Sequence, residues 1–183
     1  MVNQRVETPA AHFETLVEML AARSSRAPGK TVYRILEARE QDETSITYGA
    51  LHRRSCNIAA YLQRHTSPGD RVLLAYPTGI DFICALFACF QAGLVAVPVC
   101  PPRPGRPDLA LQKLRAICEQ SRLSVILAPG ELGPALEPLQ TLATDAFALR
   151  FVEAGQADSE ETLGQWIPPE IHADTLAILQ YTS

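Results

Sequence analysis

The chain has 183 residues, a formal net charge of −4 and 47% hydrophobic residues. That length and apolar content suffice for one core and about one domain. Mild acidity without a long basic block argues against nucleic acid as a partner. The five cysteines, Cys56, Cys84, Cys89, Cys100 and Cys118, are odd in number and lack metal-ligand spacing. They read as reduced, core-packed thiols of a reducing compartment, and no metal site is expected. The first residues, MVNQRVETPAAHFETL, hold no apolar signal region, so the expected location is cytoplasmic.

A first helix opens at Thr8 or Pro9, carries Phe13, Leu16, Val17 and Leu20 at helical spacing, and fades in the loop 24–29. Residues 31–36 and 45–47 read as strands joined by the charged turn 37–43, a hairpin at a wet edge. Thr47 is placed to cap a helix over 48–63, with Leu51, Ile58, Ala59 and Leu62 on its apolar face. His52 and His65 read as solvated, because neither has an acidic or cysteine partner at a catalytic spacing.

The stretch 69–104 organises the rest. Residues 71–76 form a short apolar run closed by Pro77, Thr78 and Gly79, which fits a strand buried on both faces. Residues 80–91 read as a helix that is apolar nearly all round, so it should lie between other layers. Gly93 is placed to take the left-handed conformation that closes it. Residues 94–97 make a second strand, stopped by Pro98, and the three elements form a βαβ unit. The run 82–99 contains one polar side chain, Gln91, and approaches membrane-spanning length. Gly93 inside it, the change to a β-branched pattern after it, and the lack of a basic cluster before it favour the buried unit.

Prolines make 100–107 a stiff extended loop. It leaves the carboxyl end of a central strand, where open α/β sheets keep their ligand crevices. It serves either as a rigid connector or as a wall of a substrate cleft, with Arg103 and Arg106 able to face an anion. Asp108 can cap a helix over 109–120 with Leu111, Leu114, Ile117 and Cys118 inward. A strand over 124–128, a helix over 132–142 blurred by Pro134 and Pro138, and a strand over 149–152 follow. After a polar loop over 154–161, Trp166 should pack an edge beside Pro168 and Pro169. A last strand over 174–180, LAILQ at its centre, arrives at Tyr181, Thr182 and Ser183. Alternating strands and helices imply an α/β fold, a mainly parallel sheet with flanking helices plus an N-terminal β-hairpin.

Three blocks in this order resemble the large domain of adenylate-forming enzymes, the acyl-activating superfamily. Residues 46–51, ITYGAL, resemble that family's "LTYxEL"; residues 90–99, FQAGLVAVPV, resemble its "KAGxxxVPL"; residues 176–183, LAILQYTS, resemble the strand entering its phosphate loop, "YTSGSTGxPK". Each block alone is weak, but together they span most of the chain. Within the superfamily, YPTGIDF at 76–82 and VPVCPPRP at 97–104 resemble the "YPPGLDFI…AVPAYPPRP" of fatty acyl-AMP ligases, with Thr78 for a proline and Cys100 for an aromatic residue.

The resemblance implies ATP- and Mg²⁺-dependent activation of a fatty acid. The carboxylate attacks the α-phosphate, and the resulting acyl-adenylate passes its acyl group to the phosphopantetheine thiol of an acyl carrier protein. It also makes the unit 76–90 part of the fatty-acid tunnel. Thr182 and Ser183 correspond to the start of the phosphate loop; the loop's glycines and lysine, the metal-binding acid and the catalytic lysine lie downstream in the family pattern. No catalytic residue falls within 1–183, which reads as a single partial domain truncated at that loop. The expectation is that this chain alone is inactive, and that exposed sheet edge and apolar helix faces promote self-association until the rest of the adenylation domain covers them. The alternatives are a piece of an acyl-CoA ligase or amino-acid adenylation domain, or a non-catalytic acyl- or protein-binding α/β module.

Overall fold

The computed structural model describes residues 12–36, 43–102, 107–140, 150–153 and 165–181. Helix α1 (Leu16–Arg26) leads into strands β1 (Thr31–Leu36) and β2 (Glu43–Thr47), then α2 (Tyr48–Gln63), β3 (Arg71–Ala75), α3 (Ile80–Gln91), β4 (Val95–Val99), α4 (Pro107–Ser121), β5 (Leu123–Ala128), a 3₁₀ turn (Gly130–Leu132), α5 (Gly133–Gln140) and β6 (Arg150–Glu153). β1 and β2 pair antiparallel; the other four strands form a parallel sheet in the order β4-β3-β5-β6. The expected α/β class, with a parallel sheet and an early hairpin, is what the chain forms.

Alternation along the strands divides the sheet between two cores. Val72, Leu74, Ala96, Val125 and Leu127 face Leu20 of α1, the apolar stripe of α2 and the buried residues of α3. Leu73, Ala75, Val97, Ile126 and Ala128 face Leu114 and Cys118 of α4 and Leu136 and Leu139 of α5. The register of β5 against β3 slips by one residue at Ser124, a bulge, so Leu123 and Val125 serve opposite cores despite their spacing of two. Because α3 is sandwiched in the first core, its apolar surface is covered nearly all round. Among the described residues no helix is long and apolar enough to cross a membrane.

Several elements follow their local signals. The Thr47 hydroxyl accepts from the Ala50 amide and caps α2. Gly93 has φ +70° and closes α3, with its amide donating to the Phe90 carbonyl. Others depart from expectation. α1 starts at Leu16, where Thr15 Oγ1 accepts from the Glu18 amide, and it runs on through Ser24 and Ser25, whose hydroxyls donate back to the Ala21 carbonyl. α4 starts at Pro107, so Asp108 sits in the first turn rather than at the cap; proline suits that first position because its missing N–H has no helical partner there.

β4 is not stopped by Pro98 but runs through it, pairing with β3 at Leu74. The amide and carbonyl of Ala96 point away from β3, bonding Ala177 O and Leu179 N. Pro98, two residues on, turns its nitrogen to the same outer side, so the absent N–H takes no bond from β3. The expected last strand over 174–180 shrinks accordingly to one parallel bridge, Ala96↔Ile178. The helix start at Thr8 or Pro9, the turn 37–42, Arg103 and Arg106, the loop 154–161, and Thr182 and Ser183 lie outside the described residues.

Candidate functional site

The chain order places a crevice before any side chain is considered. β3 and β5 are neighbours in the sheet, yet β3 leads to α3 in the first core and β5 to α5 in the second. Connections that diverge from adjacent parallel strands leave a cleft at the carboxyl ends. A cleft of about 630 Å³ lies there, lined by Ile35, Leu36 and Thr44 of the hairpin, residues 76–81 after β3, and Pro129 and Glu131 after β5. Its floor opens on the first turn of α3, where Gly79 at the cap provides no side-chain hydrogen bond to the helix amides.

Of the two carboxylates lining this cleft, Asp81 is paired. Arg54 Nη2 lies 2.9 Å from Asp81 Oδ1, joining α2 to the start of α3. The Tyr76 hydroxyl is buried and has no hydrogen-bond partner among the described residues. Burial, then the Asp81 carboxylate, push its pKa well above the usual tyrosine value, so it stays neutral. Only residues 76–81 of the unit 76–90 line the cleft; Phe87 and Phe90 stack edge-to-face, 5.7 Å apart, in the first core.

A second feature is the stretch 165–181, which is mostly exposed and held by point contacts. Gln63 forms a two-way pair with Ile167: its Nε2 donates to the carbonyl (2.7 Å) and its Oε1 accepts from the amide (3.1 Å). Arg64 donates to Gln165 Oε1. Trp166 Nε1 donates to the Gln91 carbonyl (2.7 Å) and its ring meets His52 edge-on, so it packs on the ends of α2 and α3 rather than on a sheet edge. The stretch then crosses Gly93 at Pro169, makes the bridge to Ala96, and ends with the Tyr181 hydroxyl 2.8 Å from Ser121 Oγ at the end of α4. The hydrogen bonds among these contacts join residues 60 to 104 apart in sequence, and no local sequence signal marks them.

Of the residues singled out from sequence, His52 is half-buried, not solvated. It has a cysteine partner one helical turn away, with Cys56 Sγ 3.7 Å from Nε2. Burial lowers the His52 pKa and pushes the Cys56 thiol up to about 12. The pair is therefore neutral thiol and neutral imidazole, the opposite of an activated nucleophile. His65 is exposed, its ring edge-on to Tyr61. The core role expected of all five cysteines holds for Cys84, Cys89 and Cys118; Cys56 is half-buried and Cys100 exposed, at the mouth of the proline-rich loop.

For a nucleotide, the test is what the chain presents at Thr182 and Ser183. The bridge at Ala96 makes the stretch before those two residues run parallel to β4. Among the described residues no group of His, Cys, Asp or Glu could hold a metal ion.

A family profile described as "AMP-binding enzyme" matches residues 20–183. The chain is 35% identical over 173 residues to the medium-chain-fatty-acid–[acyl-carrier-protein] ligase JamA of Moorena producens, a match taking in 93% of this chain and 29% of JamA. It is 32% identical over 143 residues to the long-chain-fatty-acid–AMP ligase FadD23 of Mycobacterium tuberculosis, 76% of this chain and 23% of FadD23. The fatty acyl-adenylate ligase of L. pneumophila, solved with acyl adenylate and pyrophosphate, superposes with a TM-score of 0.77 at 28% identity, over 94% of this chain and 28% of that one. The chain thus spans less than a third of the length of these relatives.

Proposed function

This chain belongs to the AMP-binding enzyme family, and on that premise we propose that it is the N-terminal part of a fatty acyl-AMP ligase. The intact enzyme activates a fatty acid with ATP and Mg²⁺ and hands the acyl group to an acyl carrier protein. ATP supplies the phosphorus that the carboxylate attacks, with pyrophosphate leaving. Residues 1–183 form one partial domain of it, and Thr182 and Ser183 begin its phosphate loop. The observation that carries the reading is the parallel bridge between Ala96 and Ile178, which aligns the approach to those two residues with the sheet. JamA, named for a carrier-protein acceptor, and FadD23, named for an AMP product, support the substrate class and both half-reactions. The free thiols suit the reducing cytoplasm to which we assign it.

Catalysis at phosphorus depends on positioning and charge neutralisation, and the described residues complete neither. The test is ATP–pyrophosphate exchange. The intact protein should exchange with medium- or long-chain fatty acids and not with amino acids, and should acylate a holo-carrier protein faster than CoA. The 183-residue chain alone should give none. Turnover by that chain, or exchange driven only by amino acids, overturns the reading.

A further inference from the structure

We propose that Ser121, the last residue of α4, is a positioning residue for nucleotide binding that acts through the hydroxyl of Tyr181. The inference rests on reading Thr182 and Ser183 as the start of the phosphate loop. Residues 172–178, 180 and 181 are exposed, so burial does not hold the final approach to that loop. Tyr181 lies directly before Thr182, and its hydroxyl is 2.8 Å from Ser121 Oγ. Ser121 is itself 6% exposed, and its Oγ donates to the Ile117 carbonyl at 2.5 Å. A hydroxyl has one proton. With that proton given to Ile117, Tyr181 must be the donor and Ser121 the acceptor. The bond therefore has one sense, and it points the tyrosine one way. Leu179 packs against the core to which Leu114 and Cys118 of the same helix belong, so the chain is held at two places within three residues. Holding the backbone just before a phosphate-binding loop reduces the ordering that the nucleotide must impose on it.

The test uses the intact protein and direct titration with a non-hydrolysable ATP analogue, alongside exchange kinetics. Tyr181→Phe keeps the ring and removes the donor; Ser121→Ala removes the acceptor. Each should raise the Kd for the analogue, and the KM for ATP, about five-fold, the scale of one neutral hydrogen bond. The KM for the fatty acid and kcat should stay within about two-fold. The double variant should bind no more weakly than either single one, because both remove the same bond. Ser121→Thr, which keeps the hydroxyl, should restore affinity. Unchanged analogue binding, equal losses for both substrates, or additive effects would overturn the proposal. A wild-type protein that binds the analogue but exchanges with no carboxylic acid would sink the ligase reading alone, and the affinity series would still decide the role of Ser121. One that binds no analogue would overturn both.

Discussion

Replacing Gly93 by alanine separates two costs that the structure sets side by side. Gly69 and Gly93 both hold positive φ, +84° and +70°. A Cβ built at Gly69 meets nothing within 4 Å, whereas one at Gly93 lies 3.1 Å from Pro169 Cβ and 3.7 Å from Ile171 Cγ2. Gly69→Ala therefore pays only for a left-handed L-residue, about 1–2 kcal/mol. Gly93→Ala pays that and must also push residues 169–171 off the end of α3, adding about 1 kcal/mol at the low end of overpacking. In a domain of this size the larger total lowers the melting temperature by about 4–12 °C. Urea unfolding of both variants gives the comparison, and a cycle with Pro169→Gly, which deletes the contacting carbon, isolates the coupling at about 1 kcal/mol. Equal losses at Gly69 and Gly93 with no coupling to Pro169 would refute the claim that the exposed stretch is seated on that glycine.

Two further predictions address the thiols and the open edge. In the native protein a bulky thiol reagent should modify Cys100 first, Cys56 slowly, and Cys84, Cys89 and Cys118 only on unfolding; fast labelling of Cys118 would count against the second core as described. Burial raises the thiols of Cys56 and Cys89 to about 12 and of Cys118 to about 11, above their unfolded value, so their contribution is intact below pH 9 and should be lost as pH rises from 9 towards 12. A urea midpoint that is flat across that window would contradict it. Leu176 and Ile178 are 53% and 41% exposed on the outermost bridged segment, so the 183-residue chain should self-associate with concentration, and Ile178→Lys should reduce it. Sedimentation of the unsubstituted chain as a monomer at high concentration would remove the basis for that edge contact.

How far the sequence could be read depended on whether the deciding forces were local. The bounds of α2 and α3 matched the reading, because a threonine cap, a pair of breakers and a left-handed glycine act within a few residues of the positions they control. The beginning of α1 is also legible in the sequence. Thr15 and Glu18 have the spacing of a capping box, and the Glu18 carboxylate does reach back, accepting from the Glu14 amide. The contacts of Trp166, Gln63 and Ser121 could not be read that way. Each joins side chains or backbone brought together only by the completed layers, and nothing near them in sequence distinguishes a tryptophan on a helix end from one on a sheet edge. The cleft between β3 and β5 was half legible: the proline-rich exit of β4 pointed to the carboxyl ends, but its walls come from the neighbouring loops after β3 and β5 and from the hairpin.

Pro98 shows why a local rule can fail and still matter. Read alone, a proline ends a strand because it cannot donate. In a sheet the missing donor has a direction, and here it faces away from β3, so β4 keeps its full pairing on that side. The same nitrogen faces the segment that follows Trp166, where it cannot extend the ladder begun at Ala96. That segment is thereby limited to one bridge and must be positioned by contacts on either face of the sheet: Trp166 against α2 and the end of α3, Ile167 against Gln63 at the end of α2, Tyr181 against α4. A regular ladder would fix the strand rigidly to β4 through many equivalent bonds. Point tethers instead make its placement depend on a few named groups, which is why single substitutions at Gly93, Ser121 or Tyr181 should register in the segment before Thr182 while leaving the sheet intact.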